Sequence, residues 1–320
     1  MHIFRKLDDV PSGFGQTIVS VGNFDGVHRA HLRVLDEIVA RARKQPAKSV
    51  AVTFEPHPMR ILRPDRSLKL LTPTPEKLRL IKQTGIEAVL LLPFTRDLSL
   101  MTPRDFVKRI LCDCLRSSEV HEGFNFHFGH KAAGNVEMRR ALGGELGFEV
   151  TVYPEMRLRR ESVSSSRIRE LLTEGRVDRA RVLLNRPFSI VSTAGRGRGY
   201  GAKYTVPTIN LARYDELVPA DGVYVTQTRV GGECFASVTN IGNRPTFGAD
   251  SFAIESHLLD FHPLEITPDT QLELTFLHKL RAEIRFPSVD ALREQIGRDI
   301  EKARHYFALM QKATALETKS

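Results

Sequence analysis

No apolar run in this 320-residue chain approaches the roughly 20 residues needed to cross a bilayer, which excludes a membrane-spanning helix. Met1-His-Ile-Phe-Arg5 lacks the apolar core of a secretory signal, so a cytoplasmic protein is expected. Cysteine is scarce. Cys112, Cys114 and Cys234 are too few, and wrongly spaced, for a disulfide framework or a four-ligand zinc site. They are expected as buried or idle thiols in a reducing compartment. A long basic tail is also missing: lysine and arginine are spread along the chain and densest at Arg157-Leu-Arg-Arg160. What is present is globular composition, with 41% hydrophobic and 27% charged residues and enough length for two ordinary domains. The net charge of +9 and pI of about 9.6 suit nucleic acid or polyphosphate substrates equally well.

Strand and helix signals alternate through the first half. Thr17–Val21 reads as a buried strand, followed by a helix with Leu32, Leu35, Ile38, Val39 and Ala42 on one face. Ser49–Phe54 and Ala88–Leu92 read as strands, and Pro75–Gln83 as a helix. Thr102-Pro103 opens a helix running to about Leu115, with Thr102 as its cap. Glu119–Phe126 is expected extended, Val136–Leu146 helical and Phe148–Tyr153 extended. Phe124, Phe126 and Phe128 alternate with Asn125 and His127, as on a strand with one aromatic face. Such repetition argues a doubly wound α/β domain with a parallel sheet. Beyond Asn185 the strands are short and alternating, and Gly231-Gly232 reads as the turn of a hairpin. Ser288 caps a final helix whose Val289, Leu292, Ile296, Ile300, Ala303 and Phe307 share one face. The second half therefore reads as a small antiparallel β-barrel closed by that helix, with the boundary between about Glu174 and Pro187.

Chemistry concentrates in a few segments. Gly22-Asn-Phe-Asp-Gly-Val-His-Arg-Ala-His31 joins a strand to a helix, an arrangement that aims backbone N–H groups and a positive dipole end at a phosphate. His28 and His31, three apart, point the same way from the first helical turn. His57, between Pro56 and Pro58, suits a ligand contact or a turn. The glycines and Asn125 of Gly123–Asn135 suit a loop facing a nucleotide. In Val163-Ser-Ser-Ser-Arg-Ile-Arg169 the hydroxyls can cap a helix, and the two arginines suit a phosphate clamp. Four alternating glycines in Gly195-Arg-Gly-Arg-Gly-Tyr-Gly201 allow close approach to phosphate. Thr208 and Asn210, two apart in an extended segment, present oxygens to one side and suit Mg²⁺. Glu255, among apolar neighbours, is either a general base or the partner of an arginine.

These segments resemble, in order, motifs of the prokaryotic bifunctional riboflavin kinase/FMN adenylyltransferase family, the FAD synthetases. In the first half they are GxFDGxHxGH, EPHP, GxNFxFGxxxxG and (I/V)SS(S/T)xxR. In the second they are the glycine-rich loop, PTxN, NIGxxPTF and (V/I)ExH. The resemblance implies a nucleotidylyltransferase domain over 1–180 and a riboflavin kinase domain over 186–310. It implies that Gly22, Asn23, Phe24, Asp25, Gly26, His57, Asn125, Ser164, Ser165 and Ser166 bind ATP or flavin in the first. Gly195, Gly197, Gly199, Gly201 and Asn243 do so in the second. Thr208 and Asn210 would hold Mg²⁺ with ATP, and His28, His31, Arg169 and Glu255 would carry catalysis. The expected partners are ATP, riboflavin and FMN, with no nucleic acid and no membrane; oligomeric state stays open. Ala30 stands where the family has glycine, which keeps open a riboflavin kinase with an inactive or impaired transferase half. A basic RNA-binding protein using Arg196 and Arg198 is a third reading.

Overall fold

The apolar runs of the first half pair side by side as parallel strands: β1 (His2–Phe4), β2 (Gln16–Val21), β3 (Ala47–Glu55), β4 (Ala88–Pro93), β5 (Ser117–Gly123) and β6 (Glu149–Tyr153). Their order is β1-β4-β3-β2-β5-β6. Alternate residues enter two separate cores: Val19, Val50, Val52 and Leu90 on one face, Ile18, Ala51, Val89 and Leu91 on the other. Both faces are therefore covered by helices, as a parallel sheet requires. The helices are α1 (Arg29–Ala42), α2 (Pro58–Leu62), α3 (Thr74–Gln83), α4 (Arg96–Leu100), α5 (Pro103–Phe106) and α6 (Val136–Leu146). A short antiparallel pair follows, β7 (Arg157–Leu158) with β8 (Glu161–Ser162). The chain leaves β2 toward β3 and β4, then returns to β5 and β6 on the other side. The crevice between β2 and β5 is thus a topological switch point, where ligands bind at strand carboxyl ends in open α/β sheets.

The computed structural model describes residues 1–195, 208–243, 252–262, 264 and 266–317. Contacts divide the chain into two compact units, Met1–Arg167 and Ile168–Ser320. The division falls within helix α7 (Ser165–Thr173), upstream of the change in sequence texture, because α7 and α8 (Val177–Leu184) contribute buried leucines such as Leu171, Leu172 and Leu183 to the second unit.

That unit is an antiparallel sheet of β9 (Phe188–Thr193), β10 (Thr208–Asn210), β11 (Gly222–Val230), β12 (Glu233–Asn243), β13 (Phe252–Leu258) and β14 (Gln271–Arg281), in the order β10-β13-β12-β11-β14-β9. Its two edges meet. Gly195 N–H donates to the Asn210 carbonyl at 2.8 Å and Ala212 N–H to the Thr193 carbonyl at 2.9 Å, so the sheet curls into a barrel. A side chain at Gly195 would press within 2.7 Å of the Leu211 carbonyl oxygen, which explains glycine at this seam. Gly231 and Gly232, at φ 56° and 103°, form the two-residue turn between β11 and β12. The concave face carries a cluster of buried hydroxyls: Thr226, Thr228, Ser237, Thr239 and Ser256, bonded to one another at 2.7–3.1 Å. Helix α9 (Val289–Glu317) closes the convex face, with Ser288 accepting the Ala291 N–H at 3.1 Å.

Three expectations change. The strand expected through Phe126 ends at Gly123. Phe124 N–H donates to the Tyr153 carbonyl at 3.0 Å and Phe126 N–H to the Gly123 carbonyl at 3.1 Å, which turns the chain. Phe126 and Phe128 alternate because both stack beside Arg139, not because they line a strand. The helix capped by Thr102 becomes a π-helix over Val107–Cys114, still burying Val107, Ile110 and Leu111. On α9 only the later part of the apolar face packs, through Ile300, Ala303 and Phe307 against Val223, Val225 and Val238. Val289, Leu292 and Ile296 are exposed, the first of them 55%. Cys112, Cys114 and Cys234 are free; burial pushes the first two thiols up from their ordinary pKa, and the third is exposed. No helix among the described residues is long and apolar enough to cross a membrane.

Two adjacent glycines of α6 separate packing from propensity. A methyl group on Gly143 would meet the Phe148 carbonyl oxygen at 2.6 Å, whereas one on Gly144 meets nothing within 4 Å. Gly143→Ala is expected to cost about 1–3 kcal/mol. Gly144→Ala should instead stabilise by about 0.5–1 kcal/mol. Urea unfolding of the two variants checks the opposite signs.

Candidate active sites

In the first unit the turn after β2 is backbone held against its preference. Phe24, Gly26 and Val27 have φ of 49°, 84° and 38°, of which only the glycine value is unstrained. Phe24 folds its ring over Gly22, where an added Cβ would sit 3.1 Å from the ring. The Asp25 carboxylate is buried and accepts the N–H groups of Leu71 and Thr72 at 3.0 and 3.1 Å. Thr72 Oγ1 in turn accepts the Gly26 N–H at 3.0 Å. The Ser165 hydroxyl donates to the Asp25 carbonyl at 2.8 Å, joining the serine motif to the turn. Asp25, expected to bind ligand, therefore uses its carboxylate to hold the 71–72 backbone.

His28 caps α1. Its Nδ1 accepts the His31 N–H at 3.4 Å, so Nε2 is the nitrogen that carries a proton on the neutral ring. The two imidazoles stack with centroids 3.6 Å apart, as their spacing implies, and His31 meets Phe24 edge-on at 5.2 Å. Ala30 occupies the first turn of α1 as an ordinary helical residue. His57 caps α2, its Nδ1 accepting the Met59 N–H at 3.2 Å. Asn125 is exposed in the turn after β5, with Oδ1 3.6 Å from where a Cβ on Gly123 would stand. Ser164 Oγ accepts the Arg167 N–H at 3.2 Å, a capping role, and Ser166 is exposed on the first turn of α7. Arg169 lies four residues beyond Ser165 on that helix and so on the same face.

Several polar residues here went unread in the sequence. Lys77 of α3 is only 5% exposed. Its Nζ donates to the Asn23 carbonyl, the Thr53 hydroxyl and the Phe54 carbonyl at 3.2–3.3 Å. Its place beside Leu80 and Ile81 on the apolar face of α3 was the available signal. The Glu122–Arg139 ion pair, 3.0 Å apart, is fully buried behind the turn that follows β5. Arg139 lies 3.8 Å over the Phe128 ring. Burial pushes the Glu122 carboxyl up to about 7 and Arg139 down to about 10. A second network runs from Tyr153 to His121 Nδ1 at 2.8 Å, and from His121 Nε2 to Glu119 at 3.1 Å. Arg41 and Gln45 complete it around Glu119, at 2.8 and 2.7 Å. Burial lowers the His121 pKa, against the opposing hydrogen bond and charge of Glu119.

In the second unit, strand register assembles the candidate residues. Asn210 of β10 lies opposite Glu255 of β13, which lies opposite Asn240 of β12. Directly paired residues share a sheet face at about 5 Å between Cβ atoms. An amide, a carboxylate and an amide thus form a row on the convex face, and Thr208 opposite His257 forms the next row. Glu255, Thr208 and Asn210 are all half-buried. Thr208 and Asn210 put hydroxyl and carboxamide oxygens on one side, a hard-donor pair compatible with Mg²⁺. Gly197, Gly199, Gly201 and the side chain of Asn243 lie outside the described residues.

Residues 11–167 match the FAD synthetase family model and residues 184–307 the riboflavin kinase model. The bifunctional riboflavin kinase/FMN adenylyltransferase of Pseudomonas fluorescens is 33% identical over 311 residues, covering 95% of this chain and 97% of the relative. The chain belongs to the bifunctional riboflavin kinase/FMN adenylyltransferase family. Its counterpart in Escherichia coli K12 is 31% identical over 300 residues, 92% of this chain and 94% of that one. A solved structure described as a macrolide-efflux protein from Streptococcus pneumoniae aligns with a TM-score of 0.82 at 26% identity, over 95% of this chain and 98% of its own. The family's two matched regions fall on the two compact units, and the FAD synthetase match ends at the contact division itself.

Asp25 supplies a direct test of the first site's construction. Asp25→Ala would strand the buried N–H groups of Leu71 and Thr72, at about 1–3 kcal/mol each. The expected result is a lower urea midpoint for the first unit and faster amide exchange at residues 71 and 72, with Asp25→Asn milder than Asp25→Ala.

Proposed function

We propose that the chain makes FAD from riboflavin in two ATP-dependent steps, one in each compact unit. The observation that carries this is the match of each unit to a different transferase family, each over the segment that holds its own candidate site.

In the barrel, the terminal hydroxyl of the ribityl chain attacks the γ-phosphorus of ATP. An O–P bond forms, the bond to the β–γ bridging oxygen breaks, and FMN and ADP leave. Glu255 accepts the hydroxyl proton. Thr208 and Asn210 would hold Mg²⁺, which neutralises charge on the β- and γ-phosphates when bound. No group of three or more His, Cys, Asp or Glu suited to a metal occurs among the described residues. Asn210 and Asn240, flanking Glu255 in the register, orient the carboxylate and the hydroxyl it serves.

In the parallel-sheet unit, a phosphate oxygen of FMN attacks the α-phosphorus of a second ATP and pyrophosphate departs. The attacking phosphate is already ionised, so the step needs no base. The backbone of the Gly22–Gly26 turn, His57, Asn125 and the Ser164 and Ser166 hydroxyls bind ATP or flavin, while Asp25 and Ser165 hold the turn in place. His28 donates through Nε2, and His31 joins it in stabilising charge on the transferred group. The helical place of Ala30 supports an active transferase half, since a methyl group there needs no unusual backbone.

Glu255→Gln is expected to cut riboflavin phosphorylation by roughly 10²–10⁴-fold while added FMN is still converted to FAD. His28→Ala should do the reverse. Chromatographic separation of riboflavin, FMN and FAD after incubation with Mg²⁺ and ATP reads both, and loss of both activities from either substitution would contradict separate sites.

A further inference from the structure

Lys77 is a charge in an unusual place. Its ammonium reaches beneath two loops at once, holding the carbonyl of Asn23 in the turn after β2 and that of Phe54 before the Glu55–Pro58 turn after β3. The third acceptor, the Thr53 hydroxyl, itself donates to the Asn23 carbonyl at 3.2 Å. All three acceptors are neutral oxygens. A buried ammonium solvated only by neutral groups is costly, and neutral donors such as glutamine could tie two carbonyls without that cost. The groups whose charge bears on it are Asp25 in the turn and Glu55 at the end of β3. The Asp25 carboxylate is already drawn toward the Leu71 and Thr72 N–H groups. The Lys77 charge therefore offsets two carboxylates beneath the turn, which favours phosphates at the strand ends, where the Gly22–His31 segment would meet them.

We propose that Lys77 is a positioning residue that sets the anion affinity of the first unit's site, fixing the Asn23 and Phe54 carbonyls and supplying positive charge from beneath the turn. This rests on assigning adenylyl transfer to that unit. Pyrophosphate, the triphosphate of ATP and the FMN phosphate are the ligands it favours; the adenine and ribose are not. Burial lowers the Lys77 pKa, and the charges of Glu55 and Asp25 oppose that shift.

The test uses the full chain and the conversion of added FMN to FAD. Pyrophosphate and adenosine are compared as inhibitors, one carrying the charge and the other the nucleoside. In Lys77→Met the inhibition constant of pyrophosphate should rise about tenfold, the order expected of one lost charge in a partly polarisable interior. That of adenosine should stay within about twofold. Lys77→Gln, which keeps hydrogen-bond donors but no charge, should behave as Lys77→Met does and serves alone if the methionine variant does not fold. Riboflavin phosphorylation by the same preparations reports an intact barrel. Unchanged pyrophosphate inhibition, equal rises for both inhibitors, or recovery in Lys77→Gln would each overturn the proposal. A wild-type chain that forms no FAD would instead refute the underlying assignment of activity.

Discussion

Everything in the first unit's site depends on how the turn between β2 and α1 is held. Phe24 and Val27 at positive φ cost of order 1–3 kcal/mol each, so the turn persists only because its surroundings over-determine it. Asp25 binds the 71–72 backbone from one side, and Ser165 reaches the Asp25 carbonyl from another. Lys77 holds Asn23 from below. The turn is pinned by three elements distant in sequence, and the position of the His28–His31 stack follows from it. Two residues expected to touch ligand, Asp25 and Ser165, make contacts that build the site.

The barrel solves the alignment problem by register. Glu255 stands between Asn210 and Asn240 only because three antiparallel strands are in phase. A slip of one residue would turn Glu255 to the concave face and Ser256 to the convex one. The hydroxyl cluster opposes such a slip. Ser256 bonds to Thr228 and Thr239, and Ser237 to Thr226, so a shifted strand would leave several buried hydroxyls without partners. An apolar interior would be indifferent to small shifts in a way that this polar one is not.

Much of this was legible because it is local. The strand–turn–helix at Gly22–His31, the Thr102 and Ser288 caps and the Gly231-Gly232 turn each carry their reason within a few residues. What escaped depends on distant partners. Phe126 and Phe128 share the period of a strand, but Arg139 gathers them. Lys77 reads as one cation among many until its acceptors, far away in sequence at residues 23, 53 and 54, are known. The exposed start of α9 is apolar by pattern, yet the sheet reaches only its later turns.

The two units also differ in what they bury. In the barrel the concave face holds neutral hydroxyls, whose bonds are mutual and insensitive to pH. In the parallel-sheet unit, charged groups lie buried behind the loops that follow β2, β3 and β5: Lys77, and the Glu122–Arg139 pair behind the turn at Gly123. Such pairs seldom repay their desolvation in stability. The folded chain holds the Glu122 proton more tightly than an unfolded one, since its carboxyl is pushed up to about 7. Its contribution is therefore complete below the ordinary carboxylate pKa and is lost as pH rises from there through about 7. A core selected for stability alone would not place such a group there. Arg139 stacked on Phe128 and paired with Glu122 orders the start and the end of the Gly123–Asn135 loop together, and that ordering is what the buried charges secure.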